Sequence, residues 1–203
     1  MRRARFLPFA LAAALAACSD SGAPDTGGVK PPSALTIIRL PAASQPILNP
    51  VQSETCTKGV ECELNIFFTD PLGGAGDGYL RLRVHAASLL KHPDGSLFQV
   101  GETVLITVSV VDPTQIYFEF QPSGLTFDPA VPAQLRIEYG ETGDDLDDDG
   151  DVDPQDAAIE QVIAIWRQEQ PGQSFLRLSG VKSESLDEIE ADVLGFTRYA
   201  IAY

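Results

Sequence analysis

The chain has 203 residues, with 29 acidic side chains against 14 lysines and arginines and a formal net charge of −15. Such a surface repels nucleic-acid phosphates and anionic headgroups, which excludes nucleic acid as a partner, and it suits divalent cations. With 44% hydrophobic residues, the chain is long enough for one domain with a real core.

Arg2, Arg3 and Arg5 form a basic head, and an Ala-rich apolar run follows over residues 6–17. Twelve residues broken by Pro8 are too short to span a bilayer and fit a secretory signal over residues 1–17. Removing its three arginines leaves 11 basic against 29 acidic residues, a net charge of −18. The run ends in Leu15-Ala16-Ala17-Cys18, which closely resembles a bacterial lipobox. In that family the signal is cut before the cysteine and the cysteine carries the lipid. The resemblance therefore implies lipidation of Cys18 and attachment to the membrane through several acyl chains, which hold firmly where one does not. Ser19 in place of Asp implies, by analogy with lipoprotein sorting, the outer membrane of a Gram-negative bacterium. The alternative is an ordinary signal peptide with an incidental cysteine. Residues 18–34, rich in Ser, Gly, Pro and Asp, read as a flexible tether, with the folded domain expected over residues 35–203. No transmembrane helix is expected after the signal.

Cys56 and Cys62 bracket a short loop. In an exported protein such a pair reads as a disulfide; a metal pair is disfavoured because neither His85 nor His92 lies at a matching spacing. From Leu35 onward, period-two alternation dominates. Leu80, Leu82 and Val84 alternate with Arg81 and Arg83, and Ile106 and Val108 with Thr107 and Ser109. The same pattern recurs at Ile116, Phe118 and Phe120, at Leu135, Ile137 and Tyr139, and at Ile189, Ala191 and Val193. Pro-Asp-Gly at 93–95, Pro-Ser-Gly at 122–124 and Pro-Gly at 171–172 punctuate the gaps. The glycine-rich stretch 73–78 reads as a flexible turn. Many short strands at spacings near ten residues predict an all-β fold, an antiparallel β-sandwich. Phe118, Phe120, Phe127, Trp166 and Phe175 are expected in its core.

Residues 122–129, Pro-Ser-Gly-Leu-Thr-Phe-Asp-Pro, and the strand 135–139 after them resemble bacterial ZU-five-type β-sandwich domains. The likeness extends over residues 78–203, with a Trp-containing hairpin placed at 162–167 and 174–178 and a closing segment at 195–200. It implies a fold more than a task. Some relatives cleave themselves at His-Phe-Ser. Here Gly195 stands at the histidine position before Phe196 and Thr197, so the general base is missing and self-cleavage is not expected.

Residues 145–156 read Asp-Leu-Asp-Asp-Asp-Gly-Asp-Val-Asp-Pro-Gln-Asp. Asp145, Asp147 and Asp149 fall at loop positions one, three and five. Gly150 sits at six, where a calcium loop turns sharply. Asp151 offers its carbonyl at seven, Asp153 reaches through water at nine, and Asp156 closes the shell at twelve, in the ligand order of an EF-hand loop. Val152 at position eight is expected to anchor the loop to a core. Calcium is the expected cofactor, because a hard cation takes six to eight oxygens in a flexible cage. The competing reading is a solvated acidic run, since eight of the residues 144–156 are aspartate. Asp153 as N-cap, Pro154 at the first helical position and Asp156 in the first turn predict one short helix after the loop. Loop and helix resemble one half of a dockerin repeat; dockerins carry two, so their partner-binding role does not transfer.

There is no Gly-x-Ser-x-Gly elbow, no phosphate-cradling glycine loop and no His-Glu-x-x-His. The sequence thus predicts a non-catalytic cell-envelope lipoprotein with a calcium-fixed loop and a structural or interaction role. The alternative is a surface adhesion or carbohydrate-binding module, with a protein or glycan ligand and exposed aromatics such as Tyr79, Tyr117 or Trp166. A hydrolase built on scattered carboxylates is a third, weaker reading.

Overall fold

The computed structural model describes residues 28–203. Cys18, the signal and most of the tether lie outside the described residues. In chain order the first eight strands are β1 (Val29–Lys30), β2 (Ile47–Leu48), β3 (Val51–Thr57), β4 (Cys62–Thr69), β5 (Ala75–Val84), β6 (Leu89–Lys91), β7 (Thr103–Val110) and β8 (Tyr117–Gln121). They are followed by β9 (Thr126–Phe127), β10 (Ala133–Glu138), the helix α1 (Pro154–Val162), β11 (Ala164–Gln168), β12 (Phe175–Arg177), β13 (Gly180–Ser183), β14 (Glu188–Val193) and β15 (Arg198–Ala202). The strands form a seven-stranded sheet, β1-β12-β11-β15-β8-β7-β3, and a six-stranded sheet, β13-β14-β10-β5-β4-β2, with β6 and β9 as a separate ribbon. The pairings are antiparallel, as an all-β sandwich requires.

The alternation in the sequence is the alternation of burial. On β10, Leu135 and Ile137 are fully buried while Gln134 and Arg136 face outward opposite Asp192 and Glu190 of β14. Ile106, Val108, Phe118 and Phe120 line the opposing sheet from inside. A chain of rings, Phe68 to Tyr79 at 4.5 Å and Tyr79 to Phe118 at 5.0 Å, joins the two sheets. The disulfide Cys56–Cys62 links β3 of one sheet to β4 of the other across a Cα–Cα distance of 5.4 Å. It therefore closes one side of the sandwich.

Four places differ from the sequence expectation, each for a local reason. Tyr79 is fully buried although its neighbour Leu80 also points inward. Ile66 pairs with Leu80 and Phe67 with Gly78, so Tyr79 is the extra residue of a β-bulge and turns into the core. The glycine-rich turn is shorter than expected: Asp70 accepts from the amides of Leu72 and Gly74, and β5 starts at Ala75. Val162 ends α1 rather than starting a strand, and β11 begins at Ala164. Finally, the folded body starts before residue 35. Val29 and Lys30 pair with Leu176 and Phe175, and the Lys30 ammonium lies 5.4 Å over the Trp166 ring.

The N-terminal segment over residues 36–46 is a strap threaded between β15 and the chain leading into β8. Ile38 donates to the Ile201 carbonyl at 3.0 Å and accepts from Ile116 at 3.0 Å, and Leu40 donates to Thr114 at 3.0 Å. Ile38 is fully buried in the core. Leu35 and Ile37 pack with Tyr117 over the outer face of the seven-stranded sheet, where Ala164, Trp166, Phe175, Ala200 and Ala202 form a second apolar cluster. Covered on both faces, β11 buries Trp166, whose indole N–H donates to the Ala202 carbonyl at 2.9 Å.

Candidate metal centre

The acidic loop leaves the sandwich at the end of β10. A 3-10 turn over Gly140–Thr142 ends at Gly143 in the left-handed conformation, and Asp144 follows with φ 68°. Asp148 and Gly150 also have positive φ, 62° and 100°. A Cβ on Gly150 would meet nothing within 4 Å, so the glycine is required by the backbone and not by crowding.

These turns fold the aspartates back on the chain. The Asp145 carboxylate accepts from the amides of Asp149 at 3.2 Å and Gly150 at 3.1 Å, while Asp149 accepts from Asp151 at 3.2 Å. One carboxylate oxygen each of Asp145, Asp147 and Asp149 lie within 4.8 Å of one another. Asp147 holds the Gln155 side-chain amide with Oδ2, while its Oδ1 is buried and has no hydrogen-bond partner. Desolvation, then the neighbouring Asp149 charge, raises the Asp147 pKa; the Asp149 charge is the main cause of the rise at Asp151. Three like charges held this close repel, and a cation among them removes that cost.

The other three expected ligands are placed outside this group. Asp153 is the N-cap of α1 and accepts from Gln155 at 2.6 Å. Asp156, expected to close the shell, is 3% exposed and braces the loop from below. Its carboxylate accepts from Asp153 at 2.8 Å, Leu146 at 2.7 Å and Asp147 at 3.4 Å, the first two completing a capping box and a tie across the loop. Those amide donors, the Asp153 N–H foremost, lower its pKa. The Asp151 carboxylate is not one of the three but lies beside Asp149 at their edge.

Val152 does not anchor the loop: it is 63% exposed, and Leu146 at position two is the buried residue instead. The apolar anchor of the loop is therefore the lone Leu among aspartates at position two, not the Val at position eight. Residues far away in sequence also reach the loop. Arg39 of the strap lies 3.0 Å from Asp148, and Ser44 donates to the Glu141 carbonyl at 2.9 Å. The Gln45 amide and side chain reach the Glu141 carboxylate at 3.2 and 3.4 Å. None of these three strap residues carries a motif, so no spacing rule points to them.

The remaining residues singled out in the sequence are accounted for structurally. Tyr79 and Trp166 are buried and offer no stacking face; Tyr117 is half-buried, with its hydroxyl donating to Gln168 at 2.6 Å. His92 stacks on Phe98 and faces Glu102 at 3.2 Å, and His85 lies 3.6 Å from Glu61. A Cβ at Gly195 would sit 2.9 Å from the Leu125 carbonyl oxygen, so no histidine fits there. The fold and site thus define an antiparallel β-sandwich carrying an aspartate-rich loop clamped between a 3-10 turn and a capped helix. Compared with protein-family models, with curated proteins and with solved structures, the chain matches none.

Proposed function

We propose that the protein is a non-catalytic cell-envelope lipoprotein whose 145–156 loop binds one calcium ion in a structural or interaction role. Support comes foremost from Asp147: a buried carboxylate oxygen without a donor, within 4.8 Å of oxygens from Asp145 and Asp149. An orphaned anionic oxygen is costly unless a cation satisfies it. The ion orders a loop that is otherwise held by its own amides, the buried Leu146 and a few side-chain contacts. Attachment to the membrane rests on the lipobox-like sequence at Cys18.

Calorimetric calcium titration of the protein tests the ion. Saturable binding with a dissociation constant of roughly 0.1 to 1 mM is expected, as for extracellular modules. Asp145→Ala and Asp149→Ala should abolish it. No binding heat at millimolar calcium rejects the reading. Attachment is checked separately by labelling with a radioactive fatty acid, which Cys18→Ser should eliminate.

A further inference from the structure

The strap and the acidic loop meet, although about a hundred residues separate them in sequence. The strap is held on one side by the sheet, through Ile38 and Leu40, and on the other by Ser44, Gln45 and Arg39 against Glu141 and Asp148. Glu141 lies in the turn that launches the loop, and Asp148 sits between two of the three clustered carboxylates. Ordering the loop therefore orders the surface on which the strap rests.

We infer that the strap of residues 36–46 and the loop of residues 144–153 form one clasp, so that strap seating regulates cation affinity at the loop and the cation in turn holds the strap in the sandwich. This rests on the calcium reading above. The regulation follows from reciprocity: if the ion favours the seated strap, unseating the strap weakens the ion by the same factor. The consequence is mechanical. The strap follows β1, where the chain first pairs with the sandwich, so the ion steadies the segment next inward from that point. The Arg39–Asp148 pair is about half exposed on each side and contributes little alone. Release therefore needs the strap contacts removed together.

The sign of one effect separates this coupling from plain electrostatics. Arg39 is a cation beside a cation site, so on Coulomb grounds alone its removal strengthens calcium binding. The clasp requires the opposite. The test compares the protein with the combined variant Arg39→Gln, Ser44→Ala, Gln45→Ala, which leaves every clustered aspartate in place. Calcium affinity should fall about five-fold or more, and amide exchange at Ile38 and Leu40 should accelerate about ten-fold in chelator relative to calcium. Unchanged or tighter affinity in the variant overturns the clasp while leaving calcium binding intact. If the parent protein binds no calcium, the calcium reading is lost, and metal-free exchange decides the clasp. Faster exchange at Leu146, Asp149 and Gly150 in the variant supports it, and equal exchange ends it.

Discussion

The β10–β14 ladder and the acidic loop that leaves β10 are neighbours in sequence and opposites in physics. The ladder buries Leu135, Ile137, Ile189, Ala191 and Val193 on one face and pairs Arg136 with Glu188 at 3.0 Å on the other. Its stability is that of apolar area removed from water, roughly 1.5 to 3 kcal/mol for each large side chain. The loop buries one residue of that kind, Leu146. It is shaped by carboxylates accepting amides at 2.7 to 3.4 Å, and its charges oppose one another. A region held by burial is indifferent to ions; a region held by anionic oxygens depends on them. Calcium sensitivity should stop at the loop and the strap that touches it.

The strongest way to break that contrast is to damage the core. Phe118 is fully buried and packs on Tyr79. Phe118→Ala should cost about 3 to 5 kcal/mol in denaturant unfolding, by the same amount in calcium and in chelator. A cost that shrinks when calcium is added would mean that loop and sandwich are one cooperative unit. Removing the disulfide is next. The Cys56–Cys62 bridge closes a loop with a sequence separation of 6, and by loop entropy the double change to Ser should cost about 2 kcal/mol. Calcium affinity should not move, because the bridge joins β3 and β4 and touches nothing in the loop. Smaller still is the cap. Asp153→Ala removes the side-chain acceptor for Gln155 and should cost about 1 kcal/mol. Here proteolysis at the loop should quicken in chelator and be restored by calcium.

The same contrast explains what could be read from the chain. The sandwich was legible because a half-buried strand writes its orientation into every second residue, as Leu135 and Ile137 do against Gln134 and Arg136. Legibility failed where a second influence acted on the same residues. The bulge at Tyr79 breaks the period by one residue, and only the pairing of Ile66 and Phe67 reveals it. Trp166 is buried as its alternation implies, but what covers it, Leu35 and Ile37, lies more than a hundred positions earlier and leaves no local sign. In the loop, ligand spacing identified the three aspartates that converge. It did not foresee that Asp156 would serve the backbone, since a carboxylate at the start of a helix meets the same amides whether or not an ion is near. Arg39 and Glu141 left no local trace, because their contact is made by the topology.

Acidification gives the finest separation, because carboxylates within one loop are shifted in opposite directions. Asp147 and Asp151 have raised pKa values, through desolvation and the Asp149 charge respectively. In the folded loop their charged forms are disfavoured, so they cost stability at neutral pH, and that cost is relieved as pH falls through the raised values. Asp156 is lowered by its backbone donors. Its contribution is present above the ordinary carboxylate value of about 4 and is lost only as pH falls through the lower folded value. Calcium needs the deprotonated carboxylates, so protons compete for them as pH falls, and the raised pKa of Asp147 brings that competition to higher pH. Between pH 7 and pH 4, calcium affinity should therefore decline, by up to about ten-fold per pH unit for each proton displaced, while the helix α1 cap at Asp156 persists. Calcium titrations across that range, paired with amide exchange at Leu146 and Asp153, resolve the two. Simultaneous loss of the ion and of those protected amides would place Asp156 among the ion's ligands after all, because only a shared site titrates as one.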